Sequence, residues 1–309
     1  MTNPDENADL RLDLLSDPAE FLAAAGPHLA LDPVVSTVVA TFAERAVRSA
    51  ADGLATPAED WWLVVRDRSG AVVGAGMRTA PFEPRPAFLL PMPDEAARLL
   101  AEVLHDRGET LGGVNGALPA ARACAERTAE LTGATVEVAQ HTRLFELGDL
   151  VAPRPVPGRL RPATVADLAL AGEWFAAFMR DADEQAGRPP GVSAHETPDP
   201  EEMLRRIEAG RIWFWVDESA GSGGSDDRVH LTGVNPPSFG VARIGPVYTP
   251  PGARGRGYAS AAVAGVSARI VAGGARACLF TDQANPTSNH IYTELGYRPV
   301  VDMTNLRIA

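Results

Sequence analysis

The stretch "PPGARGRGYAS", Pro250 to Ser260, alternates glycine with arginine between a β-branched segment and an alanine-rich one. A strand ending near Pro250-Pro251 and a helix beginning near Arg256 or Gly257 put these residues on the turn between the two. The first backbone N–H groups of such a helix have no intrahelical partner and carry the positive end of its dipole. Gly255 and Gly257 lack Cβ, so an anion reaches the backbone closely, and Ala259 keeps that surface shallow for one more turn. Arg254 and Arg256 add positive charge at the rim. The chemistry implied is the holding of a pyrophosphate by main-chain amides.

Other glycine loops fail on spacing. A Walker A loop needs Gly-Lys-Ser/Thr where this chain has Gly257-Tyr258-Ala259. A dinucleotide fingerprint needs a third glycine where Ser260 stands, and no ribose-binding acid follows a second strand at the proper distance. An RGG-type RNA segment is repeated and disordered, whereas this run is single and set between strand and helix. What remains is R-x-x-G-x-A, carried by Arg254, Gly257 and Ala259. One strand later, "NPTSNHIYTELGY" places Asn285, Ser288, Tyr292, Gly296 and Tyr297 in the pattern N-x-x-S-x-x-x-Y-x-x-x-G-Y. Together, with the strand "ACLFTD" between them, these segments resemble the GNAT superfamily of acyl-CoA-dependent N-acyltransferases. The resemblance covers roughly residues 240–308.

That resemblance implies an N-acetyltransferase in which an amine attacks acetyl-CoA directly within a ternary complex, with no metal. It implies that the backbone of Arg254, Gly255, Arg256, Gly257, Tyr258, Ala259 and Ser260 holds the pyrophosphate of coenzyme A. It assigns the thioester to main-chain groups of Val247, Tyr248 and Thr249, places Asn285 and Ser288 beside the cofactor, and makes Tyr292 the general acid. A phenol has the chemistry for that task, since it donates to a developing sulfur anion. Plainer roles stand beside these: Asn285 is also a helix N-cap, Tyr292 a buried core tyrosine, and both arginines solvated surface groups. The general base is open. Many relatives carry a glutamate on the fourth strand, and this chain has "VARIGPVY" there with no carboxylate, which leaves a non-catalytic acyl-CoA-binding sensor or scaffold as the alternative. The candidates are Glu173, Asp181, Asp183, Glu184, His195 and Asp302. In "EWFAAFMRDADEQAG", Trp174, Phe175 and Phe178 adjoin an acidic run, which suits either a cationic amine or simple helix packing.

These residues need elements to hold them. Three prolines in "GDLVAPRPVPG" exclude a central strand or helix interior, so residues 149–158 read as an extended linker between domains 1–148 and 159–309. In the second half, "RIWFWVD", "VHLTGV" and "FGVARIGPVYT" read as strands, and Asn285 with Pro286 opens a short helix that Gly296 ends. In the first half, "WWLVVRD" and "AVVGAGM" read as a hairpin around "RSG". A helix is expected from Asp32-Pro33, and two more in "PDEAARLLAEVLHDRG" and "ARACAERTAELTG". The matching order predicts an α/β chain of tandem GNAT-like domains, each a mixed, mostly antiparallel sheet flanked by helices. The first is degenerate: "DRGETLGGVNGAL", taken as its counterpart of the cradle, lacks the signature.

Bulk composition narrows the partners. The 309 residues suit two domains at about 150 residues each, and 45% hydrophobic residues suit packed cores. A formal net charge of −12 opposes general nucleic-acid binding and favours a cationic small-molecule amine as acceptor. Cys124 and Cys278 stand in apolar contexts without a disulfide pattern. No window approaches the roughly 20 apolar residues of a membrane helix, and "MTNPDENADL" is not signal-like, so the expected setting is the cytoplasm. Monomer and homodimer both remain open.

Overall fold

The computed structural model describes residues 10–54, 57–81, 83–185, 197–219 and 227–309. The chain forms two compact units, Met1–Arg143 with Val301–Ala309, and Leu144–Val300.

The first unit runs β1 (Arg11–Leu15), α1 (Pro18–Leu29), α2 (Thr37–Ala51), β2 (Trp61–Arg66), β3 (Val72–Arg78), β4 (Ala87–Leu89), α3 (Asp94–Asp106), β5 (Gly113–Ala117), α4 (Ala120–Thr132) and β6 (Val136–Leu147). Strands β1 to β5 lie in chain order, antiparallel except for the parallel pair β4–β5. β2 explains the two-sided layering. Its side chains alternate, so Trp61, Leu63 and Val65 enter one core and Trp62 and Val64 the other. A strand covered on both faces must be apolar throughout, as "WWLVV" is. Helices α3 and α4 cover the first face, and α1 and α2 the second.

The second unit repeats this plan with β7 (Arg159–Pro162), α5 (Leu168–Gln185), α6 (Pro200–Glu208), β8 (Ile212–Val216), β9 (Arg228–Val234), β10 (Val241–Tyr248), α7 (Tyr258–Ala272), β11 (Arg276–Asp282), α8 (Pro286–Glu294) and β12 (Tyr297–Ile308). Strands β7 to β11 again lie in chain order, with β10–β11 the parallel pair. Helices α7 and α8 pack on one face, and α5 and α6 on the other. The start of α5 is anchored by a reciprocal cap, Thr164 with Asp167, on the short 3-10 turn Val165–Asp167. Asp167 is buried and accepts from Arg161 at 2.8 and 2.9 Å and from Arg228 at 2.7 Å.

Three features differ from the sequence expectation. Helix α2 begins at Thr37 rather than Pro33, because Ser36 N bonds Asp32 O and Val35 N bonds the Asp32 carboxylate, which makes turns of residues 32–36. The first unit's counterpart of the cradle is the β4–α3 connection Leu90–Pro93, "LPMP", and not "DRGETLGGVNGAL", which follows α3 and enters β5. It holds two prolines and no glycine, so it lacks the bare amides of the second unit's turn. Finally, the strand beside β5 is the C-terminal part of β12, registered Met303 opposite Ala117 through Arg307 opposite Gly113. The strand beside β11 is β6, whose Phe145 and Leu147 join the second unit's core. The last residues of the chain thus complete the first unit.

Candidate active site

The site is built where β10 leaves β11. The two pair in parallel only from Val241–Arg276 to Ile244–Leu279. A bulge between Ile244 and Val247 then shifts the register of β10 against β9, and such a bulge bends a strand. Beyond it a cleft of about 480 Å³ opens. Its walls are Phe178, Asp181 and Ala182 of α5; Val247, Tyr248 and Thr249 at the end of β10; Arg254 through Ser260; and Asn285, Ser288, Ile291 and Tyr292 at α8. Every cofactor and acid position singled out in the sequence is on this cleft.

The glycine turn has the geometry its composition requires. Gly255 and Gly257 have φ of 76° and 84°, values L side chains rarely adopt. Gly257 is the N-cap of α7 and supplies no side-chain cap, so the first amides of the helix are left for a ligand. Those bare amides and the 480 Å³ of space beside them fit a pyrophosphate-bearing thioester. Tyr258 has a further role: its buried phenol donates to Asp217 at 2.6 Å and pins the start of α7 to the end of β8. Burial first, then this bond, raise the phenol's pKa. Arg254 is not simply solvated. Its Nε donates to Thr249 O at 2.9 Å, and Nη2 pairs with Asp181.

On α8, Asn285 is the N-cap, accepting from Ser288 N at 3.0 Å. Tyr292 is buried, packs edge-on to Tyr297 with centroids 6.0 Å apart, and reaches the cleft. Burial alone lifts its phenol well above the ordinary value, so it stays protonated through neutral pH. Tyr297 in turn bonds Ser267 of α7 at 2.7 Å.

Of the base candidates among the described residues, only Asp181 lines this cleft, and its carboxylate is engaged by Arg254. Asp183 is fully buried and Glu184 exposed. Asp302 belongs to the first unit, where Arg143 holds it at 2.5 and 3.0 Å. His195 lies outside the described residues. Of the aromatics on α5, Phe175 is in the core, Trp174 meets Phe214 and Tyr248 edge-on, and Phe178 faces the cleft.

Some contributors gave no local signal. Asn289 donates to the carbonyls of Asp282, Gln283 and Asn285 and staples the turn before α8. The proline-rich segment does more than space the domains. Val151 N bonds Leu295 O, Trp215 Nε1 bonds Pro157 O, and residues from Val151 to Val156 wall a second chamber of about 410 Å³ behind Gly255–Gly257. His230, in the middle of β9, is fully buried between Thr249 Oγ1 at 2.7 Å and Thr232 Oγ1 at 2.8 Å.

Among the described residues no group of His, Cys, Asp and Glu is placed to hold a metal, and no helix is long and apolar enough to cross a membrane. Both cysteines are buried and neither is disulfide-bonded.

Comparison with known proteins agrees with this architecture. Residues 237–307 match the family model described as FR47-like protein. The sequence matches no curated protein. Among solved structures, a GCN5-related N-acetyltransferase from Sphaerobacter thermophilus aligns over 99% of this chain and 96% of its own, at 18% identity and a TM-score of 0.53. A tandem GNAT protein from the clavulanic acid biosynthesis pathway aligns over 97% and 98%, at 14% identity and a TM-score of 0.53. A GNAT-family acetyltransferase from Colwellia psychrerythraea aligns over 96% and 98%, at 11% identity and a TM-score of 0.52. The chain has the fold of the GNAT superfamily, in two tandem copies.

Proposed function

We propose that the second unit is an acetyl-CoA-dependent N-acetyltransferase acting on an amine. The observation that carries this is convergence: the uncapped start of α7, the end of β10 and Tyr292 of α8 all face one cleft. Amides from Gly255 to Ser260 hold the pyrophosphate, since the Arg254 amide expected to join them donates to Pro251 O at 3.3 Å, and the end of β10 aligns the thioester. The amine nitrogen forms the new C–N bond, and the C–S bond then breaks. The electron pair leaves with sulfur, Tyr292 supplies its proton, and the proton lost by nitrogen restores the phenol. The net charge of −12 favours a cationic acceptor, and the cytoplasm remains the proposed setting.

The rival reading is an acyl-CoA sensor that no longer transfers. It is favoured by the pairing of Asp181 with Arg254, which occupies the carboxylate of α5 that reaches the cleft. Calorimetric titration with acetyl-CoA tests the shared premise: no binding, or binding unaltered by Gly257→Glu, overturns both. Sustained thiol release from acetyl-CoA with any member of an amine panel excludes the sensor.

A further inference from the structure

His230 and Thr249 are cross-strand neighbours. Tyr248 of β10 lies opposite Leu231 of β9, so the next pair outward is Thr249 and His230. His230 and Thr232 are two apart on one strand and share a face. The result is a line of three side chains, Thr232 Oγ1 to His230 Nε2 at 2.8 Å and His230 Nδ1 to Thr249 Oγ1 at 2.7 Å. Thr232 and His230 are fully buried, whereas Thr249 is half-buried and lines the cleft.

Hydrogen-bond accounting gives this line a direction. A neutral imidazole has one donor and one acceptor nitrogen, and each hydroxyl has one proton. If Thr249 donates to Nδ1, then Nε2–H donates to Thr232, and the buried Thr232 proton is left without an acceptor. Leaving a buried donor unpaired is costly. In the opposite sense, Thr232 donates to Nε2, Nδ1–H donates to Thr249 Oγ1, and the Thr249 proton faces the cleft, where a ligand accepts it. Only this sense satisfies every buried group. Burial holds the ring neutral, its pKa lowered to about 3, as the arrangement requires.

We infer that His230 is a positioning residue that makes the Thr249 hydroxyl a fixed donor into the cleft, aimed at the thioester carbonyl oxygen as negative charge develops there. This rests on the acetyltransferase reading. Thr249 would then act through its side chain in addition to its main chain. A donor oriented before reaction stabilises developing charge without reorganisation, and a chain of aligned bonds polarises it further. As the amine's C–N bond forms, the carbonyl π electrons move onto oxygen. They return when the C–S bond breaks, so the hydroxyl holds the charge and transfers no proton.

The test joins spectroscopy to kinetics on the full chain. Long-range ¹H–¹⁵N correlation on ¹⁵N-histidine-labelled protein reads the tautomer of His230, and the expected form is Nδ1–H. Thr249→Val, nearly isosteric, should lower thiol-release turnover with acetyl-CoA and a primary-amine panel by about 100-fold, with acetyl-CoA affinity within about twofold of wild type. Thr249→Ser should keep turnover. An Nε2–H tautomer, or full turnover in Thr249→Val, overturns the inference. Wild-type protein that binds no acetyl-CoA overturns the acetyltransferase reading itself, a failure that the titration registers before any variant is made.

Discussion

Arg254 and Asp181 form an ion pair that joins the glycine turn to α5 across the mouth of the cleft. The first signature residue is therefore already neutralised, and the attraction for an anion falls to the backbone amides of α7. Asp181→Asn releases a positive charge at the rim. The expected result is tighter acetyl-CoA binding at low ionic strength, with the gain lost at about 1 M salt, where screening acts within a few ångströms. Titration at two salt concentrations checks this. A loss of turnover with affinity intact would instead assign Asp181 the task of base. The pair is partly exposed, so thermal stability should change little.

Gly255 and Gly257 share a left-handed backbone but not their surroundings. A Cβ on Gly255 meets nothing within 4 Å, whereas one on Gly257 meets Val156 Cγ1 at 3.0 Å. Gly255→Ala should cost about 1–2 kcal/mol, the ordinary penalty of that conformation. Gly257→Ala should cost more, and Val156→Ala in the same chain should return part of the difference. Thermal unfolding of the three variants measures it.

Tyr292→Phe should lower turnover roughly 100-fold, the lower range for a positioned acid, and leave acetyl-CoA affinity unchanged. Burial raises the phenol's pKa, so the acid form persists up to and beyond pH 10. The rate should therefore show no basic limb from Tyr292 below that pH. Equal turnover in the variant would remove the assignment.

His230 is neutral in the folded chain down to about pH 3, while an unfolded histidine takes up its proton near pH 6.5. The unfolded state binds more protons between those values, so stability is full above about pH 6.5 and falls as pH drops, by up to about 1.4 kcal/mol per unit for this group. His28, also lowered mainly by burial, acts in the same direction. His230→Gln should flatten the slope between pH 6.5 and 4. The Asp167 cluster is a separate matter: Arg161 holds its carboxyl far below the usual range, so its contribution is present above about pH 4 and is lost only below it. Urea unfolding at stepped pH separates the two.

The readable parts of this protein are those whose physics is local. An anion cradle is a glycine turn and the start of one helix, so eleven consecutive residues specify it. The N-cap of Asn285 and the spacing to Tyr292 are likewise contained in one helix. Local reading missed α1, because "AAAGPHL" carries Gly26 and Pro27 inside the helix. Its cap at Asp17 and its burial of Phe21, Ala25 and Leu29 at four-residue spacing outweigh them.

What the sequence determined by itself was therefore the doubled α/β plan and the identity of the cleft's main residues, since periodicity, caps and turn chemistry act over a few positions. The tertiary structure alone decided which residues meet. The His230–Thr249 pair depends on the strand register beyond the β10 bulge, and no spacing along the chain encodes it. The docking of Val156 behind Gly257 and the completion of the first unit by Val301–Ala309 are of the same kind. Each is a choice of partner made by packing and hydrogen bonding between segments far apart in sequence, which composition and periodicity leave open.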